Sequence, residues 1–307
     1  MIYTVTLNPA IDYVIKVPDF QLDQLNKTTE EHKFPGGKGI NVSRILKNLN
    51  VESTNLGFVG GFTGSFIRNK LSEERLLTNF IDVPGDTRIN IKLKSEVETE
   101  INGQGPVIEK IHLDALKAQL LDADSQDLIV FSGSVPKGVS EDIYVELAKA
   151  ASEKDVPFVV DISSDKLLKI LPFKPVLIKP NHHELAEIFN VTFNSFEDMI
   201  PYGKKLVEMG AENVLLSMGK EGAALFNKTG IYRAPGLVGR LRNSVGAGDS
   251  MVAGFVSQYV EEKNVLRAFT YGVAAGSATA FSDDLATGKD ILTLVEKVKI
   301  NQIKIGE

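Results

Sequence analysis

The chain has 307 residues, no cysteine and a net charge of −6 from 34 basic and 40 acidic side chains. Its size suits one large α/β domain with a smaller appendage, and 43% hydrophobic with 24% charged content describes an ordinary soluble globular protein. The acidic balance argues against a nucleic-acid surface, and the missing thiols exclude disulfides, thiolate catalysis and cysteine-based zinc sites.

Met1 to Leu7 carries no basic region followed by a long apolar run, and nowhere do about 18 apolar residues run together. The expected location is the cytoplasm. Ile2 to Leu7 alternates and is rich in β-branched residues, which predicts a first strand ended by Asn8-Pro9-Ala10. Asp12 follows, where the carboxyl end of a strand delivers side chains into a crevice. Tyr13 to Val17 reads as another short strand. A polar stretch holding Lys27 ends in Phe34-Pro35-Gly36-Gly37-Lys38-Gly39-Ile40-Asn41-Val42, glycines set before a helix with Val42, Ile45, Leu46 and Leu49 on one face. A helix start leaves amide donors unpaired and carries partial positive charge. The loop is therefore either an anion site with a lysine inside it or a flexible turn with a solvated lysine.

Asn55 to Val59 predicts a strand, Gly60 to Gly64 the entry to a helix through Leu71, and Phe80 to Val83 another strand. Thr87 to Lys94 then alternates strictly and Glu96 to Asn102 continues in the same two-step, which suits a sheet with one wet face. Segments 10–34 and 86–109 are expected to form a small β lid on a major domain of 1–9, 35–85 and 110–307. Arg88 projects from that lid toward the site, or is an ordinary exposed strand arginine.

From about His112 the pattern is regular. A helix through Leu121 precedes strand Leu128 to Phe131, which ends in Ser132-Gly133-Ser134-Val135-Pro136. Helix Glu141 to Ser152, strand Phe158 to Asp161 and a further helix follow, then strand Val176 to Ile178 ending in Lys179-Pro180-Asn181. Helices Glu184 to Phe189 and Phe196 to Met209 lead to strand Val214 to Leu216, which ends in Ser217-Met218-Gly219-Lys220-Glu221-Gly222. Strands alternating with helices imply a central, mostly parallel sheet with its polar clusters on one rim. Asn181 to Glu184 has the form of a capping box; the other reading has Glu184 holding Mg²⁺ or its water. The four histidines form no metal-spaced set.

Ser244-Val245-Gly246-Ala247-Gly248-Asp249-Ser250 is a second glycine-lined helix start. Asp249 is a routine cap there, or else a base taking a proton from an attacking hydroxyl. Helices Leu266 to Phe281 and Lys289 to Lys299 complete the chain. Small residues in the first, Gly272, Ala274, Ala275, Gly276 and Ala278, serve tight packing or admit a flat ring.

Neither a P-loop nor a Gly-x-Gly-x-x-Gly after the first strand is present. Two glycine-lined helix starts, one with a lysine and one with an aspartate, instead suit a phosphoryl transferase that holds a phosphorylated substrate and the donor phosphates on either side of Asp249. Five motifs carry a resemblance: Asn8-Pro9-Ala10-Ile11-Asp12, Gly36 to Val42, Ser132 to Pro136, Lys179 to Glu184 and Val245 to Ser250. In this order they make the whole chain similar to the ribokinase-like, or phosphofructokinase B, sugar kinases.

The resemblance implies a three-layer ribokinase-like α/β fold with a small β-sheet lid, and ATP and Mg²⁺ as cofactors. It implies Asp249 as catalytic base with Gly246, Ala247 and Gly248 as the anion hole. Lys179, Asn181 and Glu184 would serve phosphate and Mg²⁺ placement, and Ser217, Gly219 and Gly222 would lie along the nucleotide. Asp12, Gly36, Gly37, Asn41 and Ser132 would hold the sugar. Lys27, Lys38 and Arg88 would surround an acceptor phosphate, which points to a ketohexose phosphate: fructose 1-phosphate first, tagatose 6-phosphate as the alternative. It further implies a homodimer through the lid, with no nucleic-acid or membrane partner. A non-catalytic sugar-phosphate or nucleotide sensor is the rival from another class. Ser282-Asp283-Asp284 departs from the family's commoner wording without an evident role.

Overall fold

A computed structural model describes residues 1–162 and 166–304. Strand β1 (Ile2–Thr6) leads to β2 (Ala10–Lys16), β3 (Glu30–Gly36), helix α1 (Lys38–Asn48), β4 (Thr54–Val59) and α2 (Gly61–Glu73). Short strands β5 (Leu77–Thr78) and β6 (Ile81–Asp82) precede β7 (Arg88–Lys94) and β8 (Glu98–Asn102). Alternation follows: α3 (Lys110–Leu121), β9 (Leu128–Ser132), α4 (Ile143–Glu153), β10 (Phe158–Asp161), α5 (Leu167–Ile170), β11 (Leu177–Ile178), α6 (His182–Phe189), α7 (Phe196–Glu208) and β12 (Asn213–Ser217). The chain closes with β13 (Ala223–Asn227), β14 (Gly230–Ala234), α8 (Ala247–Glu262), α9 (Val265–Ala280), α10 (Gly288–Val295) and β15 (Asn301–Gln302).

The large sheet runs β15-β14-β13-β12-β11-β10-β9-β1-β4-β5, with β6 also pairing β4. From β12 to β5 every pairing is parallel, so the carboxyl ends of these strands share one rim. Side-chain parity explains the layers. Ile129 and Phe131 of β9 join the core beneath α4 and α7, whereas Leu128 and Val130 join the opposite core with Phe255 of α8 and Phe269 of α9. Alternate residues of a buried strand point to opposite faces, so a near-continuous apolar run serves two helical layers at once. A separate four-stranded sheet, β3-β2-β7-β8, pairs β2 with β7 in parallel and its other neighbours antiparallel.

The hairpin β13–β14 was not expected, although its turn chemistry is present: Asn227 Oδ1 accepts the Thr229 N–H at 2.9 Å and Gly230 follows at φ 151°. β3 runs through Gly36, where the sequence reading began a loop at Phe34. Helix α10 stops at Val295, short of the expected Lys299.

The small residues of α9 are packing residues. A Cβ on Gly254 of α8 would stand 2.3 Å from the Tyr271 carbonyl oxygen, and one on Gly276 would stand 2.3 Å from Met251 Cγ. The two helix backbones meet too closely for larger side chains. Gly254→Ala is expected to lower stability by about 1–3 kcal/mol, because it meets backbone that cannot step aside; a denaturant midpoint equal to wild type would refute this.

Candidate active site

The rim gathers its polar groups by local necessity. Helix α1 has no side-chain cap of its own at Gly37 (φ 124°), and the Thr6 hydroxyl at the end of β1 accepts the Ile40 N–H at 3.1 Å instead. Glycine is required on both sides of this turn. A Cβ on Gly36 would stand 2.3 Å from Asp12 Oδ2, and one on Gly39 would stand 2.5 Å from Thr6 Oγ1. Gly36 thus makes room for the Asp12 carboxylate, and α1 then delivers Lys38 and Asn41 to the rim.

Helix α8 starts opposite. Gly246 caps it in the left-handed region at φ 77°, and the first i to i−4 bond is the Ser250 N–H to the Gly246 carbonyl at 2.8 Å. The amides of Gly248 and Asp249 precede that bond, and that of Ala247 makes only a long bond to the Ser244 carbonyl at 3.4 Å, so the helix start forms a cup of donors. Asp249 sits in the first turn of α8, where the cap residue is Gly246 and has no side chain of its own. It turns inward, buried, and accepts the Asn41 Nδ2–H at 2.8 Å.

A buried charge cluster surrounds this pair. Lys38 Nζ lies 3.2 Å from Asp161 Oδ1 and Lys179 Nζ lies 3.3 Å from the same oxygen. Lys179 also approaches the cup, 3.1 Å from where a Cβ on Gly248 would stand. Burial pushes the Asp249 carboxyl up to about 6, with Lys38 opposing and Asp161 adding to the rise. Burial works against the charge on Lys38, but Asp161, Asp249 and Glu184 outweigh it and hold the ammonium above its ordinary range. Asp161 stays below the usual carboxylate range because its two lysines overcome its own burial. The sequence reading passed over Asp161 as the last residue of a strand; a carboxylate closing an otherwise apolar buried run was the available signal.

From this cluster a cleft of roughly 880 Å³ extends to the small sheet, lined by Asn8, Asp12, Gly37, Lys38, Asn41, Arg88, Asn90, Ser134, Val245, Gly246 and Asp249 among others. Asp12 Oδ1 accepts the Asn90 Nδ2–H at 3.0 Å, and burial raises its carboxyl against the pull of Asn90, Lys92 and Arg88. Arg88 is a cleft residue: its Nε and Nη2 donate to the Asn8 carbonyl at 3.2 and 2.9 Å, and Nη1 donates to that of Gly103 at 3.3 Å. Asn90 and Lys92 also line the cleft and were not singled out from sequence.

Two expected substrate residues are not where the sequence reading put them. Ser132 is fully buried with no partner for its hydroxyl, because it ends a strand paired on both sides; Gly133 and Ser134 line the cleft instead. Lys27 is exposed on the polar connection between β2 and β3, outside the cleft lining.

Asn181 and Glu184 do form the capping box of α6. Asn181 Oδ1 accepts the His183 and Glu184 N–H groups, each at 2.9 Å, and Glu184 Oε2 accepts the Asn181 N–H at 2.8 Å. A parallel bridge sets Ser217 beside Asn181. Gly219 (φ 56°) faces open space, and Gly222 (φ 93°) lies against the Ala234 carbonyl, so this part of the rim is glycine-lined backbone. Among the described residues no group of three or more His, Cys, Asp or Glu is arranged to hold a bare metal ion. Asp161 Oδ2 is buried with no hydrogen-bond partner. Such a site fits a hydrated divalent cation carried in on phosphates rather than one caged by protein.

The comparisons with known proteins agree with this geometry. The family model described as pfkB family carbohydrate kinase matches residues 5–291. The chain is 49% identical to the 1-phosphofructokinase of Bacillus subtilis over 303 residues, 99% of this chain and 100% of that protein. It is 38% identical to the D-tagatose-1-phosphate kinase of Bacillus licheniformis over 304 residues, with 99% and 100% coverage. Phosphofructokinase-2 of Escherichia coli, solved in complex with substrates and products, superposes with a TM-score of 0.92 at 27% identity, covering 97% of this chain and 99% of that one. With a buried carboxylate at a helix-start cup and a lysine-bearing glycine loop across a shared cleft, the chain belongs to the pfkB family of carbohydrate kinases.

Proposed function

We propose that the protein transfers the γ-phosphoryl group of ATP to O6 of fructose 1-phosphate, giving fructose 1,6-bisphosphate and ADP. The observation that carries this is the Asn41–Asp249 bond at 2.8 Å, at the junction of the amide cup and a cleft that holds Arg88. Asn41 fixes the Asp249 carboxylate, which accepts the O6 proton as O6 bonds to the γ-phosphorus. The bond from that phosphorus to the β,γ-bridging oxygen breaks, and ADP leaves with the electron pair. The amide cup opened by Gly246, Ala247 and Gly248 at the start of α8 donates to the transferring oxygens, while Lys38 and Lys179 supply positive charge on either side. Mg²⁺ bound with the nucleotide beside Asn181 and Glu184 would neutralise the charge that develops on those oxygens. Ser217, Gly219 and Gly222 lie along the nucleotide. Asp12 and the Gly36 and Gly37 backbone hold the sugar, and Arg88 takes the acceptor's own phosphate.

Residues 10–34 and 86–109, the small sheet with the connection spanning 17–29, act as the lid that excludes water from the cleft. Its exposed apolar residues Ile89 and Ile101 support pairing of two copies through it. Ile101→Glu should therefore yield a monomer by analytical ultracentrifugation; an unchanged dimer would move the interface elsewhere. No helix among the described residues is long and apolar enough to cross a membrane, in keeping with work in the cytoplasm.

ADP release with fructose 1-phosphate, tagatose 1-phosphate, tagatose 6-phosphate, fructose 6-phosphate and ribose tests the acceptor. Highest kcat/KM on fructose 1-phosphate is expected. A preference for tagatose 6-phosphate would favour the second reading, to which the similarity to a tagatose-6-phosphate kinase lends support. Binding without turnover on every acceptor would leave a sensor.

A further inference from the structure

We propose that Asp284, gripped by Arg44, is a positioning residue for phosphoryl transfer, through which helix α1 and the amide cup are set on one frame. This rests on the phosphoryl-transfer reading of the site. Arg44 lies one helical turn beyond Asn41 on α1, and its side chain is only 11% exposed. Its Nη1 and Nη2 reach both oxygens of Asp284 at 3.3 and 2.8 Å, and its Nε reaches Glu74 at 2.9 Å. Two residues on, the Ala286 carbonyl accepts the Asn48 Nδ2–H at 2.8 Å. The loop spanning 282–287 is therefore fastened to α1 at two points.

Its other side presses on the cup. Leu285 Cδ2 lies 2.7 Å from where a Cβ on Gly246 would stand, so the left-handed turn is backed by this side chain. The Ala286 N–H donates to the Thr279 hydroxyl at 3.1 Å; Thr279 pairs with the Ser250 hydroxyl at 2.8 Å, and Ser250 donates to the Gly246 carbonyl at 2.8 Å. A path of contacts thus runs from the helix that orients the base to the turn that opens the donor cup. An error of about 1 Å in such a relation is enough to cost catalysis about 100-fold. Asp283 offers the contrast. It pairs with Arg242 at 2.7 Å, but the two side chains are 82% and 49% exposed, where solvent screens the interaction. The acidic run is therefore two different staples, and Asp284 is the one with bidentate geometry, 37% exposed itself but held by a partner that is only 11% exposed.

Asp284→Asn is expected to lower kcat about tenfold with KM for ATP and acceptor within about threefold, because the site still binds but its halves are out of register. Asp284→Glu should recover most of the loss, and Asp283→Asn should stay within about twofold of wild type. The ratio of variant to wild type is read on whichever acceptor the panel selects, so failure on fructose 1-phosphate would count against the proposed acceptor and not against this inference. Amide hydrogen exchange needs no substrate: peptides spanning 243–250 and 282–287 should exchange faster in Asp284→Asn and unchanged in Asp283→Asn. Wild-type kcat and exchange in Asp284→Asn would overturn the inference. So would a loss confined to KM, or faster exchange spread evenly over the whole chain.

Discussion

Asp249→Asn is expected to lose turnover by at least about 100-fold and yet to unfold at a higher temperature than the wild-type chain at pH 7.5. The first effect is the removal of a general base, which typically costs 10²- to 10⁴-fold. The second follows from burial. The carboxyl is held at about 6 in the folded protein against 3.8 ordinarily, so the folded state binds the proton more tightly than the unfolded one. Stability contributed by that proton is present at low pH and is lost as pH rises through the folded value. Above it the protein bears a cost on the order of 1–3 kcal/mol for keeping an ionised group there. An amide carries no such cost and can still accept from Asn41. The gain in melting temperature should shrink as the pH is lowered toward 4, where wild-type Asp249 is already protonated. The same raised value puts the acid limb of kcat/KM near pH 6. A variant with near-normal turnover would remove Asp249 from the chemistry; one with lowered stability at pH 7.5 would mean the carboxylate is a net structural asset.

Lys38 and Arg88, grouped by the sequence as cations around one acceptor phosphate, are expected to fail differently. Arg88 is bound only by backbone carbonyls and by a long contact to the Ser134 hydroxyl at 3.4 Å, so its charge is available to an anion. Arg88→Ala should raise the acceptor KM about 10- to 100-fold with little change in kcat, the scale of a charge-assisted contact. Lys38 faces Asp161, Asp249 and Glu184 at once. Lys38→Met takes a cation away from Asp249 and drives its carboxyl further up. It should lower kcat at pH 7 and move the acid limb to higher pH, so that part of the rate returns at pH 8.5. An unmoved limb with a purely raised acceptor KM would return Lys38 to the role first read from sequence.

What the sequence could and could not reveal has physical reasons. The unbroken apolar run of β9 reported a doubly buried strand, because side-chain period follows directly from which faces are covered. Alternation in β7 separated its two faces but not which one is wet, since Asn90 and Lys92 are buried toward the cleft and Ile89 is exposed. The glycine-led starts of α1 and α8 were equally legible, since the absent Cβ is a local demand. The pairing of Asn41 with Asp249 across 208 residues was not, because a contact between distant segments leaves no periodic trace, and Asp161 offered only its place at the end of an apolar buried run. Ser132 was misjudged for a related reason. Its side chain is enclosed where β9 is still paired with β1 and β10, and the chain opens into the cleft only beyond the strand end, at Gly133 (φ 95°) and Ser134. Asp283 and Asp284 looked alike in sequence and differ only in what stands opposite each.

The small sheet holds Arg88 level with Ala10 and Asn90 level with Asp12 in a parallel ladder. Because neighbouring positions along β7 point in opposite directions, losing or gaining one residue there would turn Asn90 and Lys92 away from the cleft and swing isoleucines inward. Diversification of acceptor preference in such a scaffold must therefore proceed by exchanging side chains at constant spacing, while changes of length are confined to the connections between strands.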